Sequence, residues 1–193
     1  EMPANTPIKV CSRASVLMGG SPISSFDEGT AEADVVDAMY EDIARAALTS
    51  TRWRFATNQQ VLNRLAAAPT SRYDAAYQMP SDLLMLSAVT VNDDPIIYDT
   101  YGDKVYCDTT TEEVVVADYI YRASESSWPS YFTLAVEFQV AAMLSLSIAR
   151  DANLAQMMDQ QGERQMIKAR RLDSQQQTTR KLMTSRFIAQ RRS

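Results

Sequence analysis

The stretch Glu113-Val114-Val115-Val116-Ala117-Asp118-Tyr119-Ile120-Tyr121-Arg122 is followed, after a short polar break, by Trp128-Pro129-Ser130-Tyr131-Phe132-Thr133-Leu134-Ala135-Val136-Glu137-Phe138-Gln139-Val140-Ala141-Ala142-Met143-Leu144. The first part reads as a strand. Val114, Val116, Asp118 and Ile120 fall on one parity, and Val115, Ala117, Tyr119 and Tyr121 on the other. Both faces are mostly apolar, which predicts a central or covered strand. Pro129 then opens a helix over about Ser130 to Ala149, with Glu137 its only charge. A helix apolar almost all round is expected to be buried on every side, in a core or between subunits. The run from Tyr131 to Ala149 approaches the length of a membrane span. Glu137, Gln139, Ser145 and Ser147 interrupt it, so the reading is a buried helix.

Upstream of this pair, residues 70–122 are rich in Tyr, Val, Ile and Thr, with turn signals at Asn92-Asp93-Asp94-Pro95 and Tyr101-Gly102-Asp103. This is strand and hairpin composition. Strands are expected near 84–91, 96–100, 104–108 and 113–122. Residues 57–67 suit a short strand or a helix, and periodicity does not decide. Trp53-Arg54-Phe55 before them is a compact aromatic pair expected to anchor a turn in the core.

The N-terminal third reads as two helices. Thr6-Pro7 is an N-cap followed by proline at the first helical position, and Gly19-Gly20-Ser21-Pro22 ends that helix. Thr30 caps the second, with Glu32 and Asp34 in its favourable first turn. Val36, Tyr40, Ile43 and Ala47 give it an amphipathic stripe, which fades at Thr49-Ser50-Thr51.

From about Asp151 the chain has no proline and one glycine, Gly162. A single helix to Arg191 would span roughly 60 Å. Leu154, Met157, Met158, Met166, Ile167 and Leu172 supply a partial apolar face. Asp173 to Lys181 then contains no apolar side chain, after which come Leu182, Met183, Phe187 and Ile188. A polar spacer leading to an apolar and basic patch reads as an arm with an anchor at its tip. The chain is thus expected to be α+β, mainly α: a helical bundle with a small antiparallel β-region inserted at about 70–122, and a long C-terminal helix or arm. Residues 1–172 would form the body and 173–193 the basic docking arm.

Charge separates along the chain. Residues 161–193 hold nine bases and two acids, a balance of +7, while residues 1–160 hold ten bases and 22 acids, a balance of −12. Ends of opposite sign suit head-to-tail association, or a basic arm reaching for an acidic partner. The chain has no histidine, which excludes Ser-His-Asp and Cys-His nucleophilic sites and imidazole metal ligation. Cys11 and Cys107 stand in no motif and read as small core side chains. No phosphate-binding glycine loop and no Gly-x-Ser-x-Gly elbow is present. No signal peptide is read in Glu1 to Val16, which lacks an apolar core.

Asp93, Asp94, Asp99, Asp103 and Asp108 lie in expected turns. They leave open a carboxylate-based glycan hydrolase or a divalent-ion site, although their spacing matches no calcium loop and turn aspartates have local uses. The basic tail leaves open a DNA-binding packaging factor. Against that, its only aromatic side chain is Phe187, and the acidic body would repel DNA.

Several short motifs occur in a fixed order. Leu17-Met18-Gly19-Gly20-Ser21-Pro22-Ile23-Ser24-Ser25 leads into Asp27-Glu28-Gly29-Thr30-Ala31-Glu32-Ala33. Trp53-Arg54-Phe55-Ala56-Thr57, Tyr77-Gln78-Met79-Pro80-Ser81-Asp82-Leu83 and Tyr119-Ile120-Tyr121-Arg122 follow, with Trp128-Pro129 before the buried helix. Over about residues 7 to 160, this ordered set resembles tail tubular protein A, the head-to-tail adaptor family of podophages with short non-contractile tails. The resemblance implies a non-enzymatic virion protein without a cofactor or metal. It implies twelve copies in a ring under the portal, with the nozzle protein (tail tubular protein B) docked below. Tail fibres would attach near the junction, and genomic DNA would pass through the lumen without sequence-specific binding or a membrane. On this reading the arm grips the portal ring. Leu182, Met183, Phe187 and Ile188 would supply burial, and Arg180, Lys181, Arg186, Arg191 and Arg192 would select an acidic groove.

Overall fold

The computed structural model describes residues 6–176, apart from positions 68 and 71. Its fold is α+β. Two helices, α1 (Pro7–Leu17) and α2 (Ala31–Thr49), precede eight short strands, and two more helices follow, α3 (Ser130–Ser147) and α4 (Ala152–Gln175).

The helix ends are set by local chemistry. The Thr6 hydroxyl accepts a hydrogen bond from the Lys9 amide at 3.3 Å, with Pro7 in the first turn of α1. Thr30 caps α2 through the Ala33 amide at 3.3 Å. Before that cap, the Glu28 carboxylate accepts from the Ser24 amide (2.8 Å) and hydroxyl (2.6 Å) and from the Thr30 hydroxyl (2.7 Å). These bonds, from Ser24 first, hold its carboxyl down at about 2 and fold the loop that delivers the chain to α2. Asp151 caps α4 through the amides of Asn153 and Leu154, both at 3.0 Å.

The β-region begins at Thr57, upstream of the expected start near residue 70. Its strands are β1 (Thr57–Val61), β2 (Asn63–Arg64), β3 (Ala75–Gln78), β4 (Leu83–Val91), β5 (Asp94–Pro95), β6 (Tyr98–Tyr101), β7 (Lys104–Cys107) and β8 (Val115–Tyr121). They form two antiparallel sheets, ordered β1-β8-β4-β5 and β2-β3-β7-β6. Strands β1 and β2 are one run of chain crossing from sheet to sheet at Leu62, and β5 and β6 cross likewise at Ile96-Ile97. The two sheets therefore share both edge runs, and the ladder closes on itself as a small barrel. Closure leaves little free strand edge. The β4–β5 turn has Asn92 and Asp93 at φ +52° and +67°, the left-handed pair that a two-residue hairpin requires.

Strand β8 is central, as its two apolar faces predict, between β1 and β4. Val115, Ala117 and Tyr119 face the barrel interior with Tyr77, Val89, Val105 and Cys107. Ile120 points the other way, into the helical core. One strand thus joins two cores.

The helical core is centred on α3. Phe132 meets the Trp53 ring edge-on at 5.0 Å and the Trp128 ring at 4.9 Å. Both indole N–H groups are satisfied, Trp53 on the Ala47 carbonyl and Trp128 on the Ala123 carbonyl, each at 2.9 Å. Cys11 and Cys107 are both buried and free. Of the two expectations for α3, burial on every side within the chain's own core is corrected, because Leu134 and Leu146 are exposed, Leu146 at 61%. Helices α1, α2 and α4 cover α3 without enclosing it.

The apolar face expected on α4 is also corrected. Met157, Ile167 and Leu172 are exposed. The buried stripe is Met158, Gly162, Met166, Ala169 and Asp173. Small residues let the α4 backbone approach α3 closely, and a Cβ on Gly162 would lie 3.3 Å from Gln139 Cγ and 3.5 Å from the Phe138 Cβ. Asp173, read from the sequence as the first residue of a polar spacer, is buried. Its carboxylate accepts from the Arg54 amide and from the Tyr131 hydroxyl, both at 3.1 Å. Burial, then the Asp173 charge, pushes the Tyr131 phenol up to about 12.

Replacing Gly162 with valine forces a branched side chain into the α3–α4 contact. The expected cost is about 1–3 kcal/mol, read as a lower urea midpoint with an unchanged slope. An unchanged midpoint would show that the two helices part there without cost.

Candidate interaction surface

α2 and α4 each pack against α3. Between them lies a trough whose floor is α3. One end, of about 570 Å³, is bounded by Met39 and Ile43 of α2, Ala142, Met143 and Leu146 of α3, and Ala152 and Ala155 of α4. The other, of about 630 Å³, is bounded by Ala46 and Ser50 of α2 and by Glu163, Met166, Ile167 and Arg170 of α4. Ile43, Gln139 and Asp159 line both, so the trough is continuous. From Ala152 to Arg170 it runs about 27 Å along α4. Met39, Leu146 and Ile167 are 44%, 61% and 50% exposed, so apolar side chains along it stand open to solvent. Ile43, expected in the α2 core stripe, is half-buried at its wall.

A second hollow of about 680 Å³ adjoins the trough at Arg170, bounded by Thr51, Arg52, Arg54, Thr57, Asp173 and Ser174. Arg52 reaches Asp118 at 3.5 Å, and the Arg54 guanidinium donates to the Gln176 carbonyl. The described chain therefore ends at this corner.

The most tightly bound charges lie elsewhere, where α2 meets the segment after β8. Arg122 donates to Glu41 at 2.9 Å and to Glu125 at 2.6 Å, and its guanidinium stands 5.6 Å from the Trp128 ring centre. Tyr40 donates to Glu125 at 3.0 Å. Burial works against the Arg122 charge, but the Glu41 and Glu125 carboxylates outweigh it and its pKa rises. Burial, then Glu125, pushes the Tyr40 phenol up and the Cys11 thiol up to about 12. On α3, burial raises the Glu137 carboxyl, and Arg13 at 3.2 Å offsets part of that. Arg122, Glu41, Glu125 and Tyr40 are engaged with one another, and the cluster fastens α2 to the segment after β8.

The turn aspartates are not brought together. Asp99 accepts from the Tyr73 hydroxyl. Asp103 accepts from Gln78 Nε2 at 2.9 Å, and Asp108 from the Asp74 amide at 3.0 Å. Asp93 lies in the β4–β5 turn and Asp94 begins β5. Among the described residues, no group of three or more His, Cys, Asp or Glu side chains is placed to hold a metal ion. No helix among them is long and apolar enough to cross a membrane. The arm residues Arg180, Lys181, Leu182, Met183, Arg186, Phe187, Ile188, Arg191 and Arg192 lie outside the described residues. The trough residues escaped the sequence reading, although an apolar side chain at every turn of α3 was the signal that it carries more apolar surface than one core needs.

Comparison with protein-family models gives no match, and no curated protein matches the chain.

Chemically, the trough offers an apolar floor and a mixed rim with Asp159, Glu163 and Arg170 between two parallel helices. That is the form of a helix-in-groove receptor. The Arg122 cluster makes a separate forecast. Arg122→Ala leaves Glu125 buried without its cation and is expected to cost about 3–5 kcal/mol. Arg45→Ala removes only an exposed pair on α2 and should cost less than about 1 kcal/mol. Equal denaturation midpoints for the two variants would contradict this reading of the cluster.

Proposed function

We propose that the chain is a non-catalytic virion subunit, the adaptor that joins the portal ring to the tail nozzle at the head–tail junction of a short-tailed phage. Copies of it close into a ring, twelve by the resemblance, and genomic DNA passes through the lumen. The nozzle protein docks below, with tail fibres near the junction. The ordered motifs between residues 7 and 160 support this reading from the sequence.

The structural observation that carries it is the open trough on α3. A helix that is apolar all round yet leaves Leu146 and its neighbours in solvent has surface suited to burial against another protein. The acidic balance of residues 1–160 suits a channel past which DNA slides without sticking. The basic segment beyond residue 176 grips the portal on this reading. Each large apolar side chain buried there contributes about 1.5–3 kcal/mol, from which the cost of ordering the segment is subtracted. Closing a ring multiplies such contacts, so that many weak ones hold together under load.

The test is co-sedimentation with the cognate portal ring. Phe187→Asp is expected to weaken binding at least tenfold, about 1.4 kcal/mol, with the helical signal of the body unchanged. A version ending at Gln176, which keeps the buried Asp173 anchor, should remain in the supernatant. If full-length protein and both variants bind alike, the arm is not the grip. If none binds, the adaptor reading fails, and salt-dependent binding to duplex DNA becomes the assay to run.

A further inference from the structure

The trough has a direction. Met39 and Ala152 line one end, Ser50 and Arg170 the other, so α2 and α4 run the same way on either side of an oppositely directed α3. A helical segment that left the C-terminus of α4 and turned back would lie antiparallel to both, completing the layer over α3. The described chain ends at Gln176, tied to Arg54 beside the Arg170 mouth of the trough. Residues 177–193 follow Gln176 in the sequence.

Their composition fits the turn and the seat. Gln177 to Lys181 are polar and reach about 17 Å at most when extended, and helix–helix connections commonly take about 2–8 residues. Leu182, Met183, Phe187 and Ile188 follow as the apolar group. Residues 177–193 carry five bases and no acid, against a whole-chain balance of −5, so the rest of the molecule stands at −10. Asp159 and Glu163 place two of its carboxylates on the trough itself, against one cation, Arg170, at its mouth. A segment tethered this closely has an effective concentration on the order of millimolar.

We propose that, before assembly, the trough between α2 and α4 is occupied by the chain's own C-terminal segment, with Leu182, Met183, Phe187 and Ile188 on the apolar floor and the basic residues toward Asp159 and Glu163. This goes beyond the portal-gripping role and takes from it only the identity of the segment. Self-docking covers the apolar floor of the free subunit. The partner ring must then displace or recruit the segment, so that the grip forms only where the partner is present.

Amide hydrogen exchange on the full-length protein, without portal, tests this. Amides of residues 182–188 are expected to exchange at least tenfold more slowly than in an unstructured peptide. The protection should be lost in Leu146→Asp, whose substitution lies at an exposed position on the trough floor, and should be independent of protein concentration. Unprotected rates would overturn the proposal, as would protection that survives Leu146→Asp. Protection that falls on dilution would also overturn it, by assigning the segment to the trough of a second copy. None of these outcomes depends on portal binding, which the sedimentation assay reads separately.

Discussion

Phe132 holds three parts of the chain in register. Its ring is edge-on to Trp53, from the turn after α2, and to Trp128, from the turn before α3. Phe55 completes the group at 4.9 Å from Phe132. Aromatic pairs of this geometry contribute about 0.5–1.5 kcal/mol beyond their burial. Their larger effect here is positional. Fixing Trp53 sets where β1 begins, and fixing Trp128 sets where β8 releases the chain into α3. The barrel is therefore held by its two exits, one on each side of the same ring. Ile120 of β8 and the Tyr121 hydroxyl, which donates to the Phe55 carbonyl at 3.1 Å, pin the barrel to the same spot.

With α3 fixed in this way, α4 can approach only where its side chains are small. Gly162 and Ala169 provide that approach, and Asp173 ends it by bonding the Arg54 amide and Tyr131. α2 is held apart by a different attachment, the Arg122–Glu41–Glu125 cluster. One helix fastened to α3 and another fastened to the segment after β8 leave the space between them unfilled, and that space is the trough. Its apolar floor follows from how the body is anchored.

Much of this was legible in the sequence. The caps at Thr6 and Thr30, the two-faced strand at 115–121 and the aromatic turn at Trp53 are local patterns with local causes. The strand at 57–61 was not legible, because Thr57-Asn58-Gln59-Gln60-Val61 is polar and exposed on most of its length, and its pairing with β8 decides its conformation. The α4 contact stripe was hidden for a related reason. A pattern search weights large apolar residues, whereas close helix packing selects Gly162 and Ala169 and uses a buried carboxylate at Asp173. Leu172 and Ile167 looked like core and are surface. The arm residues were readable as chemistry, a spacer followed by an apolar and basic tip, but a pattern within the segment does not specify the surface on which such a tip would seat.

We propose that this body is one subunit of a ring seated on a portal, and electron microscopy of the full-length protein mixed with its cognate portal ring is the decisive measurement. A second, coaxial ring stacked on the portal, with an open channel through both, is the expected result. Bare portal rings beside unassembled chains, at concentrations where the body is folded, would contradict it.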